Sequence, residues 1–262
     1  MAIINVTPDS FSDGGLHAET AAAVRAGCAF AAAGADWLDV GGESTRPGAQ
    51  PVDAATEIIR IAPVICGLRA AGVRMPISID TSKGTVAAAA LTAGADAIND
   101  VSGGRDPHLL EVAASARCPL VLMHMQGEPR TMQTAPAYGD VVDEVRASLS
   151  RAMAQAVERG VAESALVLDP GIGFGKTVAH NLALLRALPR LSAELGRPLL
   201  IGVSRKSILA VVGGLDVAAD GRDAAGQAMH ALLAPACALL RVHDVVGARA
   251  ALRLSTALRE AA

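Results

Sequence analysis

The chain has 262 residues and a formal net charge of −3, and it is 52% hydrophobic, 19% charged and only 2% aromatic. The length fits one or two domains, and the apolar content excludes a disordered or collagen-like chain. The weak negative charge and the scarcity of aromatic rings argue against a nucleic-acid-binding surface, and the longest uncharged stretch, residues 224–240, is too short to span a membrane.

Short apolar runs alternate with helical segments along the whole chain. The runs predict strands at residues 3–6, 37–40, 76–80, 97–101, 120–124, 166–169, 199–204 and 239–243. The segments between them predict helices at residues 19–33, 53–71, 85–93, 109–116, 141–159, 181–195, 224–237 and 247–260. A strand followed each time by a helix favours parallel pairing through right-handed crossovers. Eight such units predict one α/β domain over residues 1–262, a (β/α)8 TIM barrel.

A doubly wound open sheet is the alternative architecture. Such a sheet usually carries a glycine-rich turn after its first strand. Here Thr7, Pro8 and Asp9 follow the first predicted strand, and the chain has neither a G-x-G-x-x-G sequence nor a P-loop. The barrel is therefore the preferred prediction.

The cysteines and the N-terminal residues predict a cytoplasmic protein. Cys28, Cys66, Cys118 and Cys237 are widely spaced, which favours reduced thiols over a disulfide framework or a zinc site. The first residues lack a positively charged segment ahead of an apolar block, so we expect no signal peptide.

Polar side chains collect where the predicted strands end, which is where a (β/α)8 barrel carries its functional site. The candidates in chain order are Asn5, Asp80, Asn99, Asp169, Lys206, Arg241 and His243. An unpaired charge at the end of a buried strand is costly, so their combination predicts a binding site. Asp100 and Asp244 could equally cap helices or form turns, and His124 could be a core residue.

The first and last strands become neighbours when a barrel closes. Asn5 would then offer a neutral oxygen beside the cationic donors Arg241 and His243. This combination suits a phosphate group with a divalent ion.

The middle strands offer a different chemistry. Asp80, Asn99 and Asp169 provide acceptors that suit the N–H groups of a flat heterocycle, such as a purine or a pterin. The glycine- and proline-containing loops at residues 7–15 and 41–48 have the composition of lids that close over a substrate.

Eight motifs, in order on the eight predicted strands, resemble those of the dihydropteroate synthase family. They are INVTPDSFSDGG (4–15), GGESTRPGA (41–49), SIDTSK (78–83), INDVSGG (98–104), LMHMQGEPRTMQ (122–133), LDPGIGFGKT (168–177), GVSRKS (202–207) and RVHDV (241–245). The resemblance implies a transferase of folate biosynthesis. It would condense 6-hydroxymethyl-7,8-dihydropterin diphosphate with 4-aminobenzoate, giving 7,8-dihydropteroate and diphosphate.

The resemblance also implies residue roles, a Mg²⁺ cofactor and a homodimer formed through the last helices. Positions that match the pterin site are Asp80, Asn99, Met123, Asp169 and Lys206. Those that match the site of the diphosphate are Thr45, Arg241 and His243, with Asn5 as the Mg²⁺ ligand. Those around the 4-aminobenzoate, where sulfonamides compete, are Phe11, Arg46, Pro47, Phe174, Lys206 and Ser207. The expected catalytic residues are Asp80, Asp169, Lys206 and Arg46, and none is expected to act as a covalent nucleophile.

Two other functions stay open at this point. A pterin-binding methyltransferase would share Asp80, Asn99 and Asp169 but would have no use for the STRPG and SRKS sequences or a diphosphate site. A non-catalytic paralogue would bind pterin without turnover. Retention of Lys206 and of the pair Arg241 and His243 argues against the paralogue.

Overall fold

The computed structural model describes residues 1–7, 15–46 and 48–260, with residues 15–18 described by their secondary structure alone. The strands are β1 (Ala2–Asn5), β2 (Leu38–Gly41), β3 (Ile77–Asp80), β4 (Ala97–Asp100), β5 (Leu120–Met123), β6 (Leu166–Asp169), β7 (Leu200–Ile201) and β8 (Leu239–Leu240). The α-helices are α1 (Gly15–Ala32), α2 (Ala54–Ala70), α3 (Gly84–Thr92), α4 (Pro107–Ala116), α5 (Val141–Glu158), α6 (Val178–Arg186), α7 (Leu188–Leu195), α8 (Ser207–Gly213), α9 (Asp223–Leu233) and α10 (Val245–Glu260).

The strands form a closed parallel ring. β1 to β6 pair in sequence order, and β7 pairs with β8. Single parallel bridges join Leu168 to Leu199 and Ala2 to Val242, which connects the two groups of strands at both ends. At the second seam the backbone N–H of Val242 donates to the carbonyl of Met1 at 2.9 Å. The predicted (β/α)8 TIM barrel is thus confirmed, and the open sheet is excluded.

Helix starts are specified locally by side-chain caps. Asp53, Asp106, Asp140 and Thr177 each accept a hydrogen bond from a backbone N–H in the first turn of α2, α4, α5 and α6, respectively. Such a cap contributes about 1 kcal/mol to stability. Most helices therefore begin within a few residues of their predicted starts.

Prolines and one short helix account for the main differences from the prediction. The helix predicted over residues 181–195 is two helices, because Pro189 lies in the first turn of α7 and has no N–H to continue the ladder. The helix predicted over residues 224–237 ends at Leu233, and Pro235 lies in a separate 3-10 turn. α8 was not predicted, because a seven-residue helix is too short to show a helical period.

The main core lies between the strand ring and the helices and is built from branched aliphatic side chains and alanine. Fully buried members include Ile77, Ile98 and Leu122 from the strands, with Ile61 and Leu109 from the helices. Each such side chain contributes about 1.5–3 kcal/mol on burial. A core packed from aliphatic side chains needs few aromatic rings, which agrees with the low aromatic content of the chain.

All four cysteines are free thiols. No helix in the described part of the chain is long and apolar enough to cross a membrane.

His230 on α9 is a buried histidine, and its two ring nitrogens have no hydrogen-bond partner among the described residues. Burial lowers its pKa from 6.5 to about 4, although Asp244 and Asp223 act in the opposite direction. Between these two pH values the unfolded state binds a proton that the folded state does not. The contribution of His230 to the free energy of unfolding is therefore complete above pH 6.5 and is lost as the pH falls toward 4.

We expect His230→Met to flatten this acid-side loss of stability. In the wild type, the contribution of His230 to the free energy of unfolding falls by up to about 1.4 kcal/mol for each unit by which the pH is lowered in that range. Methionine does not titrate, so the variant lacks this contribution. The measurement is urea unfolding at pH 7 and pH 4.5. His108→Gln, on the exposed surface of α4, is the control and should keep the wild-type slope. Equal slopes in the wild type and His230→Met would contradict the prediction.

Candidate active site

The candidate side chains lie at the carboxyl ends of the strands, as predicted. The strand register places Asn5, Gly41, Asp80 and Asn99 side by side on β1 to β4. A Cβ atom added at Gly41 would lie 3.4 Å from the Cβ of Asp80. Glycine at this position therefore leaves space beside the Asp80 side chain. On the far side of the ring, Met123 pairs with Asp169.

Asp39 on β2 is the centre of a buried polar network. Its side chain is fully buried, and its Oδ2 accepts from Arg241 Nε at 2.6 Å and from Asn99 Nδ2 at 3.1 Å. Its Oδ1 accepts from the Ser78 hydroxyl. Arg241 Nη2 also donates to Asp80 Oδ2 at 2.6 Å. Arg241 therefore bridges two carboxylates inside the barrel mouth.

Asp80 keeps one oxygen available. Its Oδ1 is buried and has no hydrogen-bond partner among the described residues. Burial raises the pKa of Asp80 to about 7, while Arg241 lowers it and Asp39 raises it further. An unpaired buried acceptor is costly, so this atom is suited to receive an N–H from a ligand.

Asp169 and Lys206 form the opposite side of the mouth. Asp169 Oδ1 accepts from the backbone N–H of Gly171 at 2.7 Å, and burial raises its pKa while Lys206 opposes that rise. Lys206 Nζ donates to the carbonyl of Ile172 and lies 4.5 Å from the centre of the Phe174 ring. Burial lowers the pKa of Lys206 to about 8, so it stays largely cationic at neutral pH.

An apolar wall completes this side of the mouth. Met123 and Phe174 belong to a small cluster separate from the main core, together with Val101, Met125 and Met132. Thioether and aromatic groups make favourable contacts with flat rings. The mouth thus combines a stacking surface with acceptors and cations.

A cavity of about 430 Å³ opens beside Asp80. Its walls come from the loops after β2 to β5 and include Thr45, Ser82, Arg105 and Glu128. Of the predicted site residues in the described ranges, Thr45 and Asp80 line it.

Lys176, which the sequence reasoning missed, fixes the loop between β6 and α6. Its Nζ is buried and donates to the carbonyls of Gly171 and Phe174, both at 2.9 Å, and lies 2.9 Å from Nδ1 of His124. Burial lowers the pKa of Lys176 to about 7 and that of His124 to about 3. His124 therefore supports the loop as a neutral ring.

We expect Lys176→Met to lower the free energy of unfolding by about 1–3 kcal/mol, because buried carbonyl oxygens lose their donor. The amides of residues 171–175 should also exchange with deuterium faster. Arg186→Met, an exposed basic residue on α6, is the control and should change neither quantity. Unchanged stability and exchange in Lys176→Met would show that the loop does not depend on this ammonium group.

A three-residue ion cluster holds the base of the loop after β2. Lys83 Nζ lies 2.6 Å from Glu43 Oε2 and 2.6 Å from Glu57 Oε2. Glu43 Oε1 also accepts from the backbone N–H of Val52 at 2.8 Å. The cluster anchors the segment that carries Thr45 and the exposed Arg46.

His243 is oriented by Ser204. The Ser204 hydroxyl oxygen lies 3.1 Å from the backbone nitrogen of His243 and 3.0 Å from its Nδ1. Burial, with the charges of Arg205 and Arg241, lowers the pKa of His243 to about 4. His243 is therefore a neutral donor at pH 7, and Arg241 is the cation of the predicted pair.

The segment after β7 has a left-handed residue at its centre. Arg205 has φ of 61° and forms two hydrogen bonds with Asp223, at 2.8 and 2.7 Å. This geometry sets the positions of Lys206 and of Ser207, which is exposed at the start of α8. The predicted contacts Phe11 and Pro47 lie outside the described residues.

Two carboxylates at strand ends have structural roles. Asp100 accepts from the backbone N–H groups of Ser102 and Gly104, at 2.7 and 2.6 Å. Asp244 accepts from the N–H of Gly247 at 3.0 Å, in the first turn of α10. The turn and cap interpretations of these residues are confirmed.

Asn5, the predicted Mg²⁺ ligand, is the last residue of β1. Among the described residues, no group of three or more His, Cys, Asp or Glu could hold a metal ion. Mg²⁺ usually keeps several waters and takes one or two protein oxygens together with substrate phosphates. A single amide oxygen at the end of β1 suits that mode of binding.

Comparison with known proteins gives a consistent result. Residues 1–243 match the profile of a family described as pterin binding enzyme. A dihydropteroate synthase of Mycobacterium leprae is 48% identical over 253 residues, which cover 94% of this chain and 88% of that protein.

Two solved structures are also similar. The dihydropteroate synthase of Xanthomonas albilineans with 4-aminobenzoic acid has a TM-score of 0.91 and 47% identity, covering 98% of this chain and 92% of that one. The enzyme of Yersinia pestis in a complex with a sulfonamide drug has a TM-score of 0.91 and 39% identity, covering 99% and 93%.

Proposed function

The chain belongs to the pterin-binding enzyme family, and we infer that it acts as a dihydropteroate synthase. This transferase of folate biosynthesis condenses 6-hydroxymethyl-7,8-dihydropterin diphosphate with 4-aminobenzoate, giving 7,8-dihydropteroate and diphosphate. The observation that carries the inference is the buried Oδ1 of Asp80 beside Arg241 and Asn99, which has no hydrogen-bond partner in the described part of the chain. It is an acceptor for a ring N–H in a mouth that also offers Lys206 and a stacking wall.

We propose that the pterin binds across the mouth between Asp80 and Asp169. Asp80 and Asp169 accept its N–H groups, Asn99 provides an amide acceptor, and Lys206 donates to its acceptor atoms. Met123 packs against the ring. Their burial and their adjacent positions in the strand register support this arrangement.

The proposed reaction breaks the bond between the pterin methylene carbon and the diphosphate oxygen, which leaves with the electron pair. The resulting cation is delocalised into the pterin ring, where the charges of Asp80 and Asp169 stabilise it. The amine nitrogen of 4-aminobenzoate then bonds to the methylene carbon and releases a proton. An arylamine is neutral near pH 7, so no strong base and no covalent enzyme intermediate are needed.

We propose that Asn5, Thr45, Arg241 and His243 hold the diphosphate end of the substrate. Asn5 would provide the protein oxygen for Mg²⁺, and Mg²⁺, when bound, neutralises charge on the leaving diphosphate. Neutral His243, oriented by Ser204, donates to a phosphate oxygen.

The second substrate is proposed to bind between the loops after β1, β2, β6 and β7. Arg46 pairs with the carboxylate of 4-aminobenzoate, and Phe174 and Lys206 line its ring, with Ser207, Phe11 and Pro47 as further contacts. Sulfonamides occupy this site in competition with 4-aminobenzoate. The exposure of Arg46 and the contact of Lys206 with Phe174 support this part of the proposal.

We further propose that residues 1–262 form one domain that pairs as a homodimer through α9 and α10. Leu232, Val246, Leu254 and Leu258 on these helices are 66–78% exposed, which is unusual for a cluster of large apolar side chains. The free thiols support a reducing, cytoplasmic location.

The test is to incubate the protein with the pterin diphosphate, 4-aminobenzoate and Mg²⁺, and to measure 7,8-dihydropteroate and diphosphate. We expect equal amounts of both products, and a sulfonamide should raise KM for 4-aminobenzoate without changing kcat. Pterin binding by calorimetry without product would favour the non-catalytic paralogue. Methyl transfer from methyltetrahydrofolate would favour the methyltransferase.

A further inference from the structure

Asp39 is a buried carboxylate of the barrel mouth to which the proposed mechanism gives no role. It lies on the middle of β2, is fully buried, and uses both oxygens on neighbouring side chains. Two of those neighbours, Arg241 and Asn99, are proposed substrate-binding residues. A fully buried aspartate is rare unless it is paired.

We propose that Asp39 is a positioning residue for the pterin site, acting through Arg241 and Asn99. The inference rests on the proposed function and adds a residue to it. Asp39 does not touch the substrate itself. It fixes which atoms of its two neighbours the substrate meets.

The first effect of Asp39 concerns the orientation of Asn99. A carboxylate that is paired with a guanidinium can only accept hydrogen bonds, so the Asn99 atom facing it at 3.1 Å must be the amide nitrogen. The amide oxygen is then left to face away from Asp39. Asn99 consequently presents an acceptor to the ligand and selects for an N–H or amino group there over a carbonyl oxygen.

The second effect concerns the position of Arg241. With Asp80 as its sole carboxylate partner, the Arg241 guanidinium could rotate about that single contact. The bond from its Nε to Asp39 fixes the guanidinium plane, while Nη2 reaches Asp80 at 2.6 Å. Arg241 thereby uses one oxygen of Asp80, and Oδ1 has no partner within residues 1–7, 15–46 and 48–260.

The third effect concerns charge. Asp39, Asp80 and Asp169 with Arg241 and Lys206 carry three negative and two positive charges when all are ionised. The site then has a net charge of about −1, which complements the cation formed when diphosphate leaves. Without Asp39 the same set would be neutral.

The test compares two substitutions of Asp39 with one control, and wild-type turnover is measured first. Asp39→Asn keeps an acceptor oxygen for Arg241 and Asn99, and its NH₂ can donate to Ser78, so it removes the charge alone. Asp39→Ala removes charge and acceptor. Ser78→Ala disturbs the same buried network but leaves the carboxylate in place, and it is the matched control.

We expect kcat/KM for the pterin diphosphate to fall about 10- to 100-fold in Asp39→Ala, with KM for 4-aminobenzoate within about twofold of wild type. Asp39→Asn should show a smaller loss and retain the fold. Ser78→Ala should stay within about threefold of wild type, because both neighbours keep their partner.

The pH profile is the readout that a purely structural role would not change. The groups that act on Asp80 are Arg241, Asp39, Glu57 and Asp100. Removing the negative charge of Asp39 lowers the pKa of Asp80, so the acidic limb of kcat/KM should move to lower pH in Asp39→Asn. Ser78→Ala keeps all four of these charged groups, so the acidic limb of its kcat/KM profile should stay at the wild-type pH.

The proposal is overturned if Asp39→Asn and Ser78→Ala are indistinguishable in kcat/KM and in the acidic limb. It is also overturned if the Asp39 variants raise KM for the pterin diphosphate and KM for 4-aminobenzoate by the same factor. A wild-type protein that makes no dihydropteroate would instead refute the proposed function, so the two failures are distinguishable.

Discussion

Asp169→Asn is expected to lower kcat for dihydropteroate formation by about 100- to 1000-fold, the usual loss when a preorganised charge opposite the transition state is removed. Asparagine keeps an oxygen that can accept from the N–H of Gly171, so the loop after β6 should stay in place. What is lost is the negative charge beside the pterin cation.

The measurement is steady-state kinetics together with thermal unfolding. Asp100→Asn is the matched control, because Asp100 is also buried, at the end of β4, but bonds only to Ser102 and Gly104 among the described residues. It should lower stability while leaving kcat within about threefold of wild type. Full turnover by Asp169→Asn would refute a cationic transition state stabilised at this position.

Arg241→Met is expected to destabilise the protein by about 3–5 kcal/mol, because it leaves the buried carboxylates of Asp39 and Asp80 without their shared cation. This is a large part of the stability of an ordinary domain. Turnover should also be lost, since the proposed diphosphate site loses its cation.

The loss of unfolding free energy in Arg241→Met is expected to depend on pH. The folded-state pKa of Asp80 is already raised to about 7, against 3.8 when unfolded, and losing Arg241 raises it further. A folded state that binds more protons becomes less stable as the pH rises, so the deficit should be larger at pH 8 than at pH 5.5.

Urea unfolding of the wild type and Arg241→Met at both pH values gives the comparison. Adding Asp39→Asn to Arg241→Met should recover part of the lost stability, because one uncompensated charge is removed. If the double variant showed the sum of the two single losses, Arg241 and Asp39 would not be coupled.

The local pattern of the sequence was sufficient for the fold. Apolar runs and helical periods predicted all eight strands in order, because both depend on residues close together in the chain. The motifs likewise predicted the family. Differences arose where one residue overrides the period, as Pro189 does by dividing the helix predicted over residues 181–195.

The partners of the candidate site residues depended on the tertiary structure. Arg241 meets Asp39, 202 positions away in the chain, only because the ring of strands closes between β8 and β1. Lys176 meets His124 across 52 positions because each follows one of the paired strands β6 and β5. The sequence places an aspartate inside an apolar strand at position 39, which signals a paired charge, but its partners could not be read from that position alone.

The protonation states were also a tertiary property. In sequence His243 looks like a cationic donor and Asp80 like an ordinary carboxylate, yet burial lowers the pKa of the first to about 4 and raises that of the second to about 7. The sequence by itself determined a TIM barrel of the pterin-binding family and the residue types at its mouth. Only the closed barrel decided which of them are charged, which are paired and which oxygen stays available for a ligand, because those properties depend on distances and burial across the ring.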